Sequence, residues 1–216
     1  MNVQIVTAPA SYPVPLQVAK LHAKIETNDD DAYVSLLIAS ATEHVEREIG
    51  QALVNRTYRL FMDAWPTDKG ADDWWDGERE GSISELLALG AKSEITLPYP
   101  PLYSVTHIKT YDDADVATTF AAANYFVDTV SQPGRVALRT GATWPVPVRL
   151  TNGIEVQWVA GYGADWNSTP EAIRTAILLL FAHWYENREP VISGATAAQV
   201  PASIDRIIKM LRRTGL

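Results

Sequence analysis

The sequence contains no cysteine, which excludes disulfide bonds and thiolate-bound metals. It has only four histidines, and they fall in separate segments with no shared spacing: His22, His44, His107 and His183. The 18 basic residues are outnumbered by 26 acidic residues, so the formal net charge is −8. A chain this acidic is not expected to bind nucleic acid over its whole surface, although local basic patches are possible.

Long apolar runs are also missing. The longest, at 176–182, is far shorter than the ~20 residues needed to span a bilayer. The first fifteen residues have no basic start followed by an apolar core, so we expect neither a signal peptide nor a membrane anchor. The length of 216 residues suits one domain, or one domain with an insertion, in a soluble protein.

The N-terminal region is predicted to form an extended arm followed by two helices. Three prolines predict an extended arm over residues 1–15, because proline fixes φ and restricts the residue before it. Periodic apolar residues then predict a short helix over about 16–25 and a longer one over about 29–49. Gly50 is the expected left-handed residue that ends the second helix.

The middle of the chain is dominated by strand patterns, which predict an inserted β region over about 56–160. Between 94 and 160, short β-branched and aromatic runs alternate with turn residues and indicate five or six antiparallel strands. In the last run, Glu155 and Gln157 alternate with apolar residues, so this strand is expected to have one solvated face.

Residues 67–93 interrupt this pattern with a markedly acidic excursion. Such a composition cannot bury enough apolar surface to order itself, so we expect it to be exposed. Trp74 and Trp75 are the exception within it. Exposed aromatics often mark interfaces, so this pair either contacts a neighbouring subunit or another partner, or anchors the segment locally.

The C-terminal region predicts a buried helix, a linker and a basic amphipathic helix. The helix over about 170–189 is apolar on nearly all sides, and its second cover is expected to be another subunit. Residues 190–201 form a small-residue linker, and 202–213 form the last helix. The predicted fold class is α+β. It is mainly an α-helical bundle in one domain over 16–189, with an inserted small antiparallel β domain. A linker and a C-terminal amphipathic helix follow over 190–216.

The polar end of the buried helix is the strongest candidate for a catalytic or metal-binding site. His183, Glu186 and Asn187 are three or four residues apart and therefore share a helix face. They could act as an acid–base or metal pair, but no His-Glu-x-x-His pattern is present. We interpret them as the solvated, capped end of a helix, and we predict no catalytic residue, cofactor or metal.

Four segments, in this order, resemble the head–tail connector, or adaptor, family of long-tailed phages and gene transfer agents. "LQVAKLH" (16–22) resembles the family's opening Leu-x-x-Ala-Lys-x-His helix, and 37–66 its second helix, Gly turn and strand ending in Asp-x-Trp-Pro. Residues 95–115 resemble its Leu-Pro-x-Pro-Pro-Leu strand entry and Tyr-x-Asp hairpin. Residues 161–189 are similar to its closing helix with Tyr-Glu-Asn-Arg-Glu.

The resemblance implies a non-enzymatic structural protein of a phage or phage-like particle, assembled in the host cytoplasm. It implies a ring of twelve copies beneath the portal protein, with a tail-side stopper or head-completion protein below. Double-stranded DNA would pass through the lumen without sequence-specific binding, and no membrane is involved.

The hypothesis for portal binding places 202–216 on the portal. Its apolar stripe would enter a groove and its basic residues would line the rim: Ile204, Ile207, Ile208 and Leu211, with Arg206, Lys209, Arg212 and Arg213. Two alternatives stay open. One is a small cellular interaction module that binds a partner through this same helix. The other is a hydrolase that uses His183 and Glu186.

Overall fold

The structure, a computed structural model, describes residues 2–66, 94–147, 149–188 and 202–212. The helices in these ranges are α1 (Leu16–His22), α2 (Asp31–Ile49), α3 (Glu171–Glu186) and α4 (Ala202–Leu211). The strands are β1 (Asn2–Thr7), β2 (Arg56–Met62), β3 (Glu94–Thr96), β4 (Leu102–Tyr111), β5 (Ala117–Thr119), β6 (Tyr125–Asp128), β7 (Arg135–Leu138) and β8 (Ile154–Ala160). Trp74, Trp75, Arg213 and the predicted linker lie outside the described residues.

The strands form two sheets. One has five strands in the order β1-β2-β8-β4-β5, and the other has three in the order β3-β7-β6. β4 pairs antiparallel with β5, and β7 pairs antiparallel with both β3 and β6. The α+β class is therefore confirmed, as are six strands between residues 94 and 160.

The description of the fold as mainly a helical bundle is wrong, because strands are as common as helices in the described chain. Two causes led to the error. β1 falls in the proline-containing arm and has its partner, β2, some fifty residues away. Several other strands are only three or four residues long, too short to show a clear period of two.

The chain divides into two compact units. The β unit comprises the described residues of 1–6, 57–98 and 104–159, and the helical unit comprises those of 7–56, 99–103 and 160–216. Three separate segments of the chain therefore contribute to the β unit.

The helical unit is held together mainly by α2 and α3. Each has a buried stripe at steps of three and four residues: Val34, Ile38, Ala41, Val45 and Ile49 on α2, and Ile173, Ala176, Ile177, Leu180 and Phe181 on α3. Gly50, at a φ of 69°, ends α2 as predicted. The second apolar side of α3 is only partly buried, at Leu178 and Leu179.

The β unit has its core on one face of the five-stranded sheet. Tyr58 stacks on Trp158 with ring centroids 5.5 Å apart, and Trp158 is completely buried. On β8 the predicted apolar face is confirmed, since Ile154, Val156 and Trp158 are all buried. The opposite face differs from the prediction, because Glu155 is only 4% exposed.

Candidate functional site

The predicted portal-binding helix, α4, packs with its apolar side against the core of the helical unit. Ile204 and Ile208 are 5% and 2% exposed. Ile207 and Leu211 are partly buried against the same core. The basic residues are on the outer side: Arg206, Lys209 and Arg212 are all exposed. α4 therefore presents a basic surface while its apolar stripe is engaged within its own chain.

The polar end of α3 binds the start of α2. Asp30 lies directly before α2, and one of its carboxylate oxygens accepts hydrogen bonds from Tyr185 Oη and Arg188 Nη2, each at 2.8 Å. The Arg188 guanidinium also lies over the rings of Tyr33 and Tyr185, 4.9 and 4.8 Å from their centroids. This geometry clamps the two helices together at one end.

The protonation of this clamp follows from its hydrogen bonds. Donation from Tyr185 and then from Arg188 holds the pKa of Asp30 below its usual value. The same hydrogen bond to Asp30 raises the pKa of Tyr185. The carboxylate is therefore kept ionised and the phenol neutral, which suits a structural ion pair rather than proton transfer.

His183 also takes part in ending α3. Asn187 Nδ2 donates to the main-chain oxygen of His183 at 2.8 Å and lies 3.3 Å from its Nδ1. In the described ranges no group of three or more His, Asp or Glu side chains is placed to hold a metal ion. Among the same residues, no helix has the length and apolar character needed to cross a membrane.

A buried carboxylate network in the β unit was not predicted. Glu155 on β8 lies between Arg59 on β2 and two side chains of β4. Its Oε1 is 3.3 Å from Arg59 Nε and 3.0 Å from His107 Nε2. Tyr111 Oη donates a short hydrogen bond to Oε2. The network joins three adjacent strands across the face opposite the tryptophan core.

The charge of Glu155 is stabilised by its neighbours. Burial alone would raise its pKa, but hydrogen bonds from Tyr111 and His107 and the charge of Arg59 together hold the pKa below its usual value. The hydrogen bond to Glu155 is the main reason why the pKa of Tyr111 is raised. The sequence signal for this network is weak, because its members are spread from residue 59 to residue 155.

None of these clusters combines a cavity with an activated nucleophile or a general base, so none of them indicates a reaction. The family is shown by similarity to known proteins. The sequence profile described as head completion protein matches residues 17–214. The chain belongs to the head completion protein family. Among curated proteins, no relative matches it.

Solved structures similar to this chain include three from gene transfer agent (GTA) particles. The neck of an empty GTA particle, with C6 symmetry, matches with a TM-score of 0.74. The virion of a native GTA particle matches with a TM-score of 0.71, and the neck of a native GTA particle, with C12 symmetry, with 0.70. Each match has 25% identity and covers 100% of this chain and 97% of the other chain. The family resemblance found in the sequence is therefore confirmed.

In this chain, the first and last of the segments that carry the resemblance have structural roles. In "LQVAKLH" Lys20 is buried. Its ammonium donates to Asn28 Oδ1 at 2.7 Å and to Asp31 Oδ1 at 2.6 Å, which joins α1 to the start of α2. In the closing "YENRE", Tyr185 and Arg188 bind Asp30. Both segments therefore fix the N-terminal end of α2.

Proposed function

We propose that this chain forms a ring beneath the portal protein, which it binds on one side, and receives a tail-side protein on the other. As a member of the head completion protein family, it is a structural protein of the head–tail junction in a phage-like particle. The observation that carries the proposal is the match of the entire chain to neck structures of gene transfer agent particles at TM-scores of 0.70–0.74.

The proposed ring contains twelve copies. A closed ring needs a heterologous interface, in which two different surfaces of the chain meet after a fixed rotation. The similar neck structures carry C12 and C6 symmetry, and twelve copies are compatible with both. The partly buried second side of α3 supports such an interface, because it offers apolar surface outside the core.

In the proposed ring, double-stranded DNA passes through the lumen without being held. A protein that binds DNA neutralises phosphates with lysine and arginine and releases counterions. A chain with a formal net charge of −8 has few spare cations for this purpose. A conduit of this kind lets the duplex move.

Residues 202–216 are proposed to contact the portal. In this structure the stripe containing Ile204 and Ile208 is buried in the helical unit. Docking it in a portal groove therefore requires α4 to leave that core. Burying an isoleucine contributes about 1.5–3 kcal/mol, so the exchange is close to neutral when the groove buries the same side chains. Arg206 and Arg212 are already exposed and would line the rim.

Deleting residues 202–216 tests this proposal. The truncated chain should keep the helical and strand signals of its circular dichroism spectrum but bind a purified portal ring at least tenfold more weakly. Its melting temperature should fall, because Ile204 and Ile208 no longer fill the core. The matched variant Arg206→Glu with Arg212→Glu should retain stability and lose portal affinity mainly at low salt. Undiminished portal binding by the truncated chain would contradict the docking proposal.

The proposed role requires no catalysis. His183 and Glu186, the pair considered for a hydrolase, lie on the last turn of α3, where His183 contacts the helix-ending Asn187. We therefore expect His183→Gln and Glu186→Gln to leave particle assembly unchanged. Imaging of particles that carry either variant is the measurement, and an assembly defect in folded protein would argue for a further role of this pair.

A further inference from the structure

The helical unit contains an open cleft that none of the roles above uses. It has a volume of about 200 Å³ and lies between the prolines before α1 and the first two turns of α3. Its walls combine apolar and charged side chains: Pro13, Pro15, Trp166, Glu171, Arg174 and Leu178. A cavity of about 150 Å³ accommodates benzene, so this cleft has room for an aromatic side chain.

Arg174 gives the cleft a cation whose hydrogen-bond donors are not all satisfied. Its guanidinium lies over Trp166, 5.0 Å from the ring centroid. The Nε atom is buried and has no hydrogen-bond partner among the described residues. The nearby Glu171 carboxylate is 3.6 Å from Nη2, and its side chain is 91% exposed. An ion pair of this length with one exposed partner is weak, so a carboxylate from outside can replace Glu171.

The apolar part of the cleft is continuous with the second side of α3. Leu178 lies in the cleft wall and is only partly buried. The amino-acid pattern of α3 predicts that another subunit covers this side. The cleft is thus an apolar pocket with a cation, on the surface where a neighbouring copy is expected.

The chain itself carries a segment with the complementary chemistry. Residues 68–80 contain two adjacent tryptophans, Trp74 and Trp75, with six acidic residues and two basic ones. An aromatic side chain flanked by carboxylates suits a pocket that offers proline, tryptophan and an arginine. A ring needs two different complementary surfaces on one chain, and the acidic segment and the cleft are such a pair.

We propose that the acidic Trp-Trp segment of one copy binds the Arg174 cleft of the next copy and so forms the heterologous contact of the ring. This inference rests on the proposed ring function. A tryptophan enters between Pro13, Pro15 and Trp166, and a neighbouring carboxylate pairs with Arg174 in place of Glu171.

The absence of cysteine from the chain allows a direct test. Ala71→Cys and Thr175→Cys, combined in one chain, place one thiol in the acidic segment and one at the cleft. Oxidation or a short bismaleimide in assembled particles should give a ladder of covalent dimers, trimers and larger species on a denaturing gel. Each single-cysteine variant is the control and should give no ladder beyond dimers.

The outcomes separate this inference from the proposed function. A cross-link within one chain, seen as a monomer of altered mobility, would overturn the copy-to-copy contact. So would the absence of cross-links in particles whose neck shows the ring by imaging, and the ring itself would then stand. Particles whose neck holds no ring of this chain would overturn the proposed function, and the inference with it.

Substitutions of Arg174 and of its neighbour Glu171 provide an independent test, because they should shift ring filling in opposite directions. Arg174→Gln should raise the concentration needed to fill the portal-bound ring by roughly tenfold or more. Glu171→Gln should lower that concentration, because Glu171 competes for Arg174. Arg47→Gln, an exposed arginine on α2, is the matched control and should have no effect. Thermal unfolding checks that each variant is folded, and equal filling by the Arg174 and Glu171 variants would contradict the proposal.

Discussion

Glu155 is a buried carboxylate on which three neighbouring strands of the β unit depend. Its side chain is 5% exposed, is hydrogen-bonded to His107 and Tyr111, and forms an ion pair with Arg59. Glu155→Gln keeps the shape but removes the charge and one acceptor oxygen. We expect the free energy of unfolding to fall by roughly 1–3 kcal/mol, because buried donors then lose a partner. Urea unfolding followed by circular dichroism measures this loss.

The control for this variant is Glu43→Gln. Glu43 forms an exposed pair with Arg47 on α2, with both side chains more than 70% exposed. Such pairs contribute little, so the change should stay within about 0.5 kcal/mol. Equal effects of the two substitutions would mean that the Glu155 network does not stabilise the fold.

The same carboxylate predicts a pH dependence of stability. The folded pKa of Glu155 is lowered relative to its ordinary value of 4.5. A group of this kind contributes stability that is complete above the unfolded pKa and is lost as pH falls through the folded pKa. The stability difference between the natural chain and Glu155→Gln should therefore be largest near neutral pH and shrink below about pH 4. A difference that grows on acidification would contradict the assignment.

The sequence predicts the strand face on which Glu155 lies but not its burial. The alternation along β8 correctly places it opposite the apolar face of that strand. Its burial depends on Arg59 and His107, which come from strands far away in the chain, and no local pattern reveals such partners. The burial of Lys20 has no local sequence signal for the same reason, since its hydrogen-bond partners Asn28 and Asp31 lie after the end of α1.

The turn after β8 depends on close contact between two backbone segments. Gly161 has a φ of 142°, and a Cβ added there would lie 2.5 Å from the main-chain nitrogen of Asn55. The same turn is hydrogen-bonded to residues 53–55, because Tyr162 N donates to Leu53 O and Asn55 N donates to Gly163 O. Gly161→Ala must therefore push these segments apart.

Gly50→Ala is the matched control, because Gly50 also has a positive φ, 69°, but has open space around its Cα. It should cost about 1 kcal/mol from backbone conformation alone. We expect Gly161→Ala to cost roughly 1–3 kcal/mol more, since overpacking adds to conformational strain. Chemical unfolding of both variants measures the difference, and equal losses would show that the turn can relax.

Helices were predicted better than strands, for physical reasons. α2 and α3 are long, have clear apolar stripes and are delimited by Gly50 and Pro170, so their type and approximate bounds follow from local chemistry. β1 was missed because a strand is defined by a partner, and β2 lies far along the chain. Counting only strong periodic signals therefore overstates the helical part of an α+β protein.

For the molecule as a whole, family membership could be inferred although no single motif was specific. The four matching segments are each compatible with ordinary helix or turn chemistry, but together they run from residue 16 to residue 189 in order. The first and last segments share a structural role, since Lys20 and Arg188 bind Asp31 and Asp30 at the start of α2. The proposed copy-to-copy contact was less accessible to sequence reasoning, because the Arg174 cleft appears only when the prolines before α1 lie beside α3.

The proposed role as a DNA conduit predicts weak interaction with DNA. At about 150 mM salt, the purified chain should not shift a linear duplex in an electrophoretic assay, because eighteen basic residues are opposed by twenty-six acidic ones. Any binding at low salt should come from the exposed basic side of α4, so deleting 202–216 should abolish it. Binding that persists without α4, and whose log K falls linearly with log salt concentration, would require a basic lumen and would contradict a conduit that releases its DNA.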